Sequence, residues 1–415
     1  MRIDADRLHE SLRKLAQIGA TPGGGVTRLA LSTEDRTARD LLRRWMEEAG
    51  LRVRVDDFGN ITGRRAGAES GAAVLLASHI DTVRRGGRYD GAYGVLAALE
   101  VMRTLNDSGV TTRKPLELVN WTNEEGVRFE PAMLASGAVA GRFTSEYVYG
   151  RTDRDGATFG DELERIGYKG DRENRPGPIA AYLELHVEQG PVLEDAGVSV
   201  GVVEGIVGIT WSEITADVRA DHAGPSPMPL RRDALVAAAR MIAGVDDIAR
   251  AIEGAVGTVG RIAAEPNVIN TIPGRVTMSV DLRHPDAATL DRLVAGLERL
   301  ASDVAALTGV TVAVNRFWTS EPTPFAAEVV DAVQAAADEM GIETRRFWSG
   351  AGHDAKYMQE VAPSAMIFAR SINGLSHCEQ EYSTPEDLEV GANVLLRAAL
   401  RLAGIEGERT SHKRG

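Results

Sequence analysis

Apolar and polar positions along this chain follow three different patterns. Residues 5–19 and 33–49 carry apolar side chains at helical spacing, the second stretch opened by Ser32 or Thr33 and stopped by Gly50. Residues 51–55 alternate like a half-exposed strand, and 60–63 supply a hairpin partner. Residues 73–77 are a short continuous apolar run, the pattern of a strand buried on both faces of a sheet, and 116–121 and 365–369 read as further buried strands. Residues 182–187, Y-L-E-L-H-V, read as one more such strand, and helices are expected from Gly94 onward and over 131–141, 158–167, 325–340 and 385–403. Between about 210 and 324 the texture changes. Residues 211–219 and 275–283 alternate, helices follow at 231–245 and 286–307, and a strand at 310–316 closes a β-α-β-β-α-β order of ferredoxin-like type. The pattern predicts an α/β domain with a central mixed sheet, made of 1–209 and 325–415, into which an α+β domain, 210–324, is inserted. The tail from Gly407 on is polar and is expected to be disordered.

Polar chemistry gathers where the buried runs stop. The first is followed by His79 and Asp81, then by a Gly-rich loop carrying Asp90. The second ends in T-N-E-E-G, with Glu124 and Glu125. The third carries His186, and His377 lies between the last buried run and the last helix. In open α/β sheets, sites form at the carboxyl ends of the strands. Three imidazoles and carboxylates there are enough to hold two divalent ions sharing one carboxylate. Asp81 could orient the His79 ring from behind. Of two adjacent acids, one can bind metal while the other stays available as a base.

Composition narrows the partners. The chain has 415 residues, 43% hydrophobic and 26% charged, as in a soluble globular protein of two domains. A net charge of −13 disfavours nucleic acid and anionic membranes, which call for basic surface. The single cysteine, Cys378, excludes an internal disulfide. No stretch has the length of a membrane span and the first residues lack a signal-peptide core, so a cytoplasmic setting is expected.

Seven segments then carry a resemblance. S-H-I-D-T-V with G-G-R-Y-D-G, W-T-N-E-E-G-V-R-F, L-H-V-E-Q-G-P-V-L-E, D-H-A-G-P-S-P-M, P-N-V-I-N-T-I-P-G, S-G-A-G-H-D-A and G-L-S-H-C-E-Q-E occur in this order across nearly the whole chain. Together they resemble the hydantoinase/carbamoylase family of amidases, part of a di-metal peptidase group. The resemblance implies a catalytic domain with two divalent ions per subunit, zinc or else manganese, cobalt or nickel, and an inserted lid and dimerisation domain. It implies that Asp90 bridges the ions, that His79 and His186 complete one site and Glu125 and His377 the other, and that Glu124 is the general base. Arg283 would grip a substrate carboxylate, with Gln189, His222, Asn270, Gly352 and His353 as further substrate contacts. His222 would come from the partner of a homodimer and assist catalysis.

The activity so implied is cleavage of the carbamoyl C–N bond of an N-carbamoyl-L-amino acid or similar ureido acid, giving amino acid, ammonia and carbon dioxide. Allantoate amidohydrolase is the alternative, favoured by D-T-V-R and G-R-Y-D-G. An aminoacylase or dipeptidase fits D-H-A-G-P-S-P-M and G-A-G-H-D-A less well, and a dead scaffold would have no need of Glu124. Cys378-Glu379-Gln380 stands where the family more often has Asn-Pro, and Ala369-Arg370 where Val-Pro or Val-Arg is common. Both departures flank a metal ligand and bear on substrate choice.

Overall fold

A computed structural model of the chain describes residues 1–407, so the tail expected to be disordered lies, from 408 on, outside the described residues. Two compact units appear. One runs Met1–Gly205 and resumes at Phe325; the other spans Ile206–Pro324. The expected boundary at 209/210 falls at 205/206, because the first strand of the small unit already starts at Gly208.

The large unit is built on a mixed sheet. The strands Ala73–His79, Leu116–Trp121, Ile179–Val187 and Ser364–Ala369 form its parallel centre, in the order Leu116–Trp121, Ala73–His79, Ile179–Val187, Ser364–Ala369. The hairpin of Arg52–Val55 and Ile61–Arg65 extends one side antiparallel, and Val200–Ile206 the other. Every residue of Ala73–His79, Leu116–Trp121 and Ser364–Ala369 is buried, which is why 73–77 and 365–369 read as unbroken apolar runs rather than alternating ones. The helices Ala92–Asp107 and Pro385–Ala403 lie against the sheet, and Ala5–Ala16 packs on the first of them. The small helix expected over 131–141 spans only Leu134–Val139, since Met133 sits at φ 54°, outside helical geometry.

One buried ion pair ties the second helix to the site. Arg39 and Asp35 in Thr33–Glu48 are both fully buried, with Nε donating to Asp35 Oδ2 at 2.7 Å. The remaining guanidinium donors go to the Gly59 carbonyl at 2.7 Å and to Oγ1 of Thr122 at 3.1 Å, two residues before Glu124. Asp35→Ala would leave that guanidinium buried without its anion, at a cost of about 3–5 kcal/mol. The denaturant midpoint should fall by the corresponding amount; an unchanged midpoint would show that the pair does not brace the fold.

In the small unit, Gly208–Asp217, Val256–Glu265, Arg275–His284 and Thr311–Ser320 make an antiparallel sheet. Its spatial order is Thr311–Ser320, Gly208–Asp217, Arg275–His284, Val256–Glu265. The helices Ala234–Arg250 and Ala287–Thr308 cover one face, over a core that includes Ile214, Met278, Val280, Met241 and Leu293. A short ladder pairs Asp221–His222 with Thr271–Ile272.

Candidate metal centre

The parallel strands deliver their last residues to one edge. Ala73–His79 ends in His79, the turn after Leu116–Trp121 carries Glu124 and Glu125, and Ile179–Val187 brings His186. Asp90 follows a loop that closes over the His79 ring at Gly91. A Cβ on Gly91 would lie 2.4 Å from that ring, and its φ is 62°, so glycine is required there on both counts.

Asp90 stands in the middle. Its Oδ1 lies 3.1 Å from His186 Nε2 and 3.6 Å from His79 Nε2. Its Oδ2 lies 3.3 Å from His377 Nε2, which in turn is 3.5 Å from Glu125 Oε2. Two sets of residues that could each hold a metal ion therefore share this carboxylate, His79–Asp90–His186 and Asp90–Glu125–His377, each with its donor atoms within 4.8 Å of one another. Glu124 belongs to neither set; its Oε2 is 3.6 Å from His79 Nε2.

The surroundings suit cations. His79 Nδ1 lies 3.0 Å from the Asp81 carbonyl and His186 Nδ1 2.9 Å from the Val187 carbonyl. A carbonyl only accepts, so each holds an Nδ1–H and turns its Nε2 toward Asp90, where the Gly91 N–H also meets the Nε2 of His186 at 3.0 Å. Glu125 Oε1 is buried without a hydrogen-bond partner among the described residues. Asp81 orients the His79 ring as expected, though not through its carboxylate. Its carbonyl is what holds His79; its carboxylate, 3.8 Å away from that ring, accepts the backbone N–H groups of Glu124 and Glu125 at 3.3 Å each and so sets the paired-acid turn.

Burial, followed by the charges of Asp354, Glu125, Asp81 and Glu184, pushes the Glu124 carboxyl well above its ordinary range. Burial and then Asp90 do the same to Glu125. Burial lowers His79 to about 4, so its imidazole is neutral at physiological pH. For His186 burial works the same way, but the bond and charge of Asp90 outweigh it and raise the ring to about 9, a proton with which a cation would compete. Buried carboxylate charge gathered around imidazoles is what divalent ions neutralise.

Three residues of the site were not singled out from the sequence. Glu381, buried, accepts the backbone N–H groups of Tyr89 and Asp90 at 3.0 and 3.1 Å. Ser376 donates to Glu381 Oε2 at 2.9 Å and reaches Asp90 Oδ2 at 3.3 Å. Asp354, buried, accepts from Ser136. The first two lie inside G-L-S-H-C-E-Q-E, so a search for carboxylates just past His377 would have found Glu381.

The other expected contacts divide between the units. Gln189 donates from Nε2 to Asp90 Oδ2 at 3.0 Å. His353 is buried, its ring 4.6 Å from that of His186, and its Nε2 has no partner among the described residues; Gly352 beside it is exposed. His222, Asn270 and Arg283 are in the small unit. There His222 is exposed and pairs with Thr271, next to Asn270, whose carbonyl accepts from Ala223 at 2.9 Å. Arg283 lies on Arg275–His284, and His284 faces the other way, buried and bonded near Glu253 and Asp286. Asn123, Gln189 and His377 all adopt left-handed backbone, with φ of 60°, 62° and 54°, a strain that clusters at functional loops.

Comparison with known proteins fits this geometry. The profile of Peptidase family M20/M25/M40 matches residues 75–401. The chain is 43% identical over 406 residues to an N-carbamoyl-L-amino-acid amidohydrolase of Rhizobium meliloti, covering 97% of this chain and 98% of that one. It is 35% identical over 396 residues to the allantoate amidohydrolase of Bacillus subtilis, covering 94% and 95%. Among solved structures it resembles a hydantoinase/carbamoylase family amidase of Burkholderia multivorans, with a TM-score of 0.95 and 48% identity over 97% of this chain and 98% of that one.

Proposed function

The chain belongs to Peptidase family M20/M25/M40 and, within it, to the hydantoinase/carbamoylase amidases, and from that premise we propose that it hydrolyses the carbamoyl C–N bond of N-carbamoyl-L-amino acids. The products are the amino acid, ammonia and carbon dioxide. The observation that carries this reading is Asp90, whose two oxygens face separate ligand sets while Glu124 stands beside them outside both.

His79, Asp90 and His186 would hold one divalent ion, and Asp90, Glu125 and His377 the other. Bound there, the ions would supply Lewis-acid polarisation of the ureido carbonyl, a poor electrophile, and activation of a water. Glu124 takes a proton from the attacking water and passes it to the leaving nitrogen. His222 donates to the oxygen as negative charge develops on it. Arg283 offers a planar fork to the substrate carboxylate, and Gln189, Asn270, Gly352 and His353 orient the ureido group. Zinc, manganese, cobalt and nickel all accept this mix of imidazole and carboxylate. The small unit serves as lid and dimerisation domain of a cytoplasmic homodimer.

Ammonia release from a panel of N-carbamoyl amino acids, allantoate and ureidopropionate tests the reading. Turnover of N-carbamoyl amino acids is expected to dominate; turnover of allantoate alone would replace this reading with the second one, which the similarity to the Bacillus subtilis enzyme keeps in view.

The shared site has its own test. If His222 serves the partner's site, a Glu124→Ala chain and a His222→Ala chain are each inactive alone. Subunit exchange between them restores one complete site per mixed dimer. Mixed dimers that form but stay dead would place His222 in its own chain's site.

A further inference from the structure

Two helices cover one face of the small unit's sheet, and on the other a chain of contacts runs from Trp318 through Trp211 and Asp281 to Arg283. Asp281 and Arg283 sit two apart on one strand and so share a face. Asp281 accepts through both oxygens, from Arg283 Nε to Oδ1 at 2.9 Å and from Nη2 to Oδ2 at 2.7 Å. The same Oδ2 accepts the indole N–H of Trp211 at 2.9 Å. Trp211 is the direct cross-strand partner of Asp281, and on its other side of Trp318, with the two indoles 4.5 Å apart. A register irregularity between Arg316 and Trp318 brings Phe317 alongside as well, 6.3 Å from the Trp211 ring. A tryptophan 39% exposed thus has its ring held by two aromatic neighbours and its one donor committed to a carboxylate.

We propose that Asp281 and Trp211 are positioning residues that aim Arg283 at the substrate carboxylate. The proposal rests on Arg283 being the carboxylate clamp. A guanidinium is planar, so gripping its Nε/Nη2 edge fixes the plane and direction of the opposite edge. The clamp is then already oriented when the substrate arrives, and less side-chain freedom is lost on binding. Asp281 also offsets part of the guanidinium charge, so the site selects a planar carboxylate by geometry more than by net charge. Trp211 keeps Asp281 from swinging away with its partner.

The test separates aiming from general support. Trp211→Phe keeps a ring against Trp318 and removes only the N–H. Asp281→Asn keeps the size and removes the charge and one acceptor. For each variant, KM and kcat are measured for an N-carbamoyl amino acid, together with the Ki of its neutral carboxamide as competitive inhibitor. Trp211→Phe is expected to raise KM for the acid about 3- to 10-fold, the scale of one hydrogen bond, with kcat little changed and Ki for the carboxamide unaltered. Asp281→Asn should do more. Both effects should vanish when built on Arg283→Lys, where there is no fork left to aim. Equal effects on the acid and the carboxamide, or effects that add to Arg283→Lys, would overturn the proposal. If Arg283→Lys itself leaves KM for the acid unchanged, the clamp reading fails and the relay with it. If it raises KM while Trp211→Phe does nothing, the relay alone fails. Circular dichroism monitors the fold, and should Asp281→Asn not fold, Trp211→Phe still decides.

Discussion

Replacing Glu124 by Gln should leave metal content unchanged and cut turnover by about 10²- to 10⁴-fold, the usual scale of a positioned general base. The two side chains have nearly the same shape, so the Asp81-held turn and the ligands His79 and Glu125 stay in place. What disappears is a carboxylate that stands 3.6 Å from the His79 ring and lies outside both of these sets. An amide cannot take a proton from water, so kcat falls while KM moves little. Elemental analysis beside steady-state kinetics checks both halves of the expectation. Full activity in the variant would remove Glu124 from the mechanism, and loss of metal would reassign it as a ligand.

Asp90→Ala should have the largest effect on metal content. Its two oxygens face different ligand sets, so removing it strips a donor from both at once. His186→Ala or His377→Ala removes a donor from one set only. Elemental analysis is expected to show Asp90→Ala nearly free of metal and without activity, and each histidine variant to keep part of its content. A variant without Asp90 that still held the full complement of ions would show that the carboxylate does not bridge. The same comparison distinguishes His79 and His186, which should lose the same ion, from His377, which should lose the other.

The sequence made most of this centre legible because metal ligands in such a sheet must lie where buried strands stop. Ala73–His79, Leu116–Trp121 and Ser364–Ala369 are buried end to end, so their runs stand out, and His79, Glu124 and Glu125 follow them directly. Three of the longer strands were not legible, for different reasons. Val256–Glu265 is an edge strand with mostly exposed residues and two internal glycines, so no apolar pattern marks it. Thr344–Ser349 carries Arg345 and Arg346 on an outer edge and reads as solvated chain. Val200–Ile206 has a Glu in its middle and glycines at two positions, which masks a largely buried strand. In the site itself, the ends of the buried strands pointed to the residues that the structure gathers around Asp90, but not to the groups that brace them. Glu381 acts on Asp90 through backbone N–H groups, and such a partnership leaves no trace in residue spacing.

The place of Ser364–Ala369 in the sheet has a consequence for the order in which the chain becomes a protein. This strand sits between Ile179–Val187 and Val200–Ile206, with Ser364 beside Tyr182 and Ala369 beside Val200. During synthesis the ribosome makes both neighbours, then the whole of Ile206–Pro324, before the strand that joins them exists. The small unit is continuous in sequence and can fold as soon as it emerges, while the large unit carries two open strand edges waiting for a partner. The same late segment brings His377, so the ligand set of His79, Asp90 and His186 is complete in the nascent chain well before that of Asp90, Glu125 and His377. Long-range parallel pairing of this kind is slow to form. Nascent chains stalled between these two points should therefore expose a sticky sheet and depend on chaperones more than the finished enzyme does.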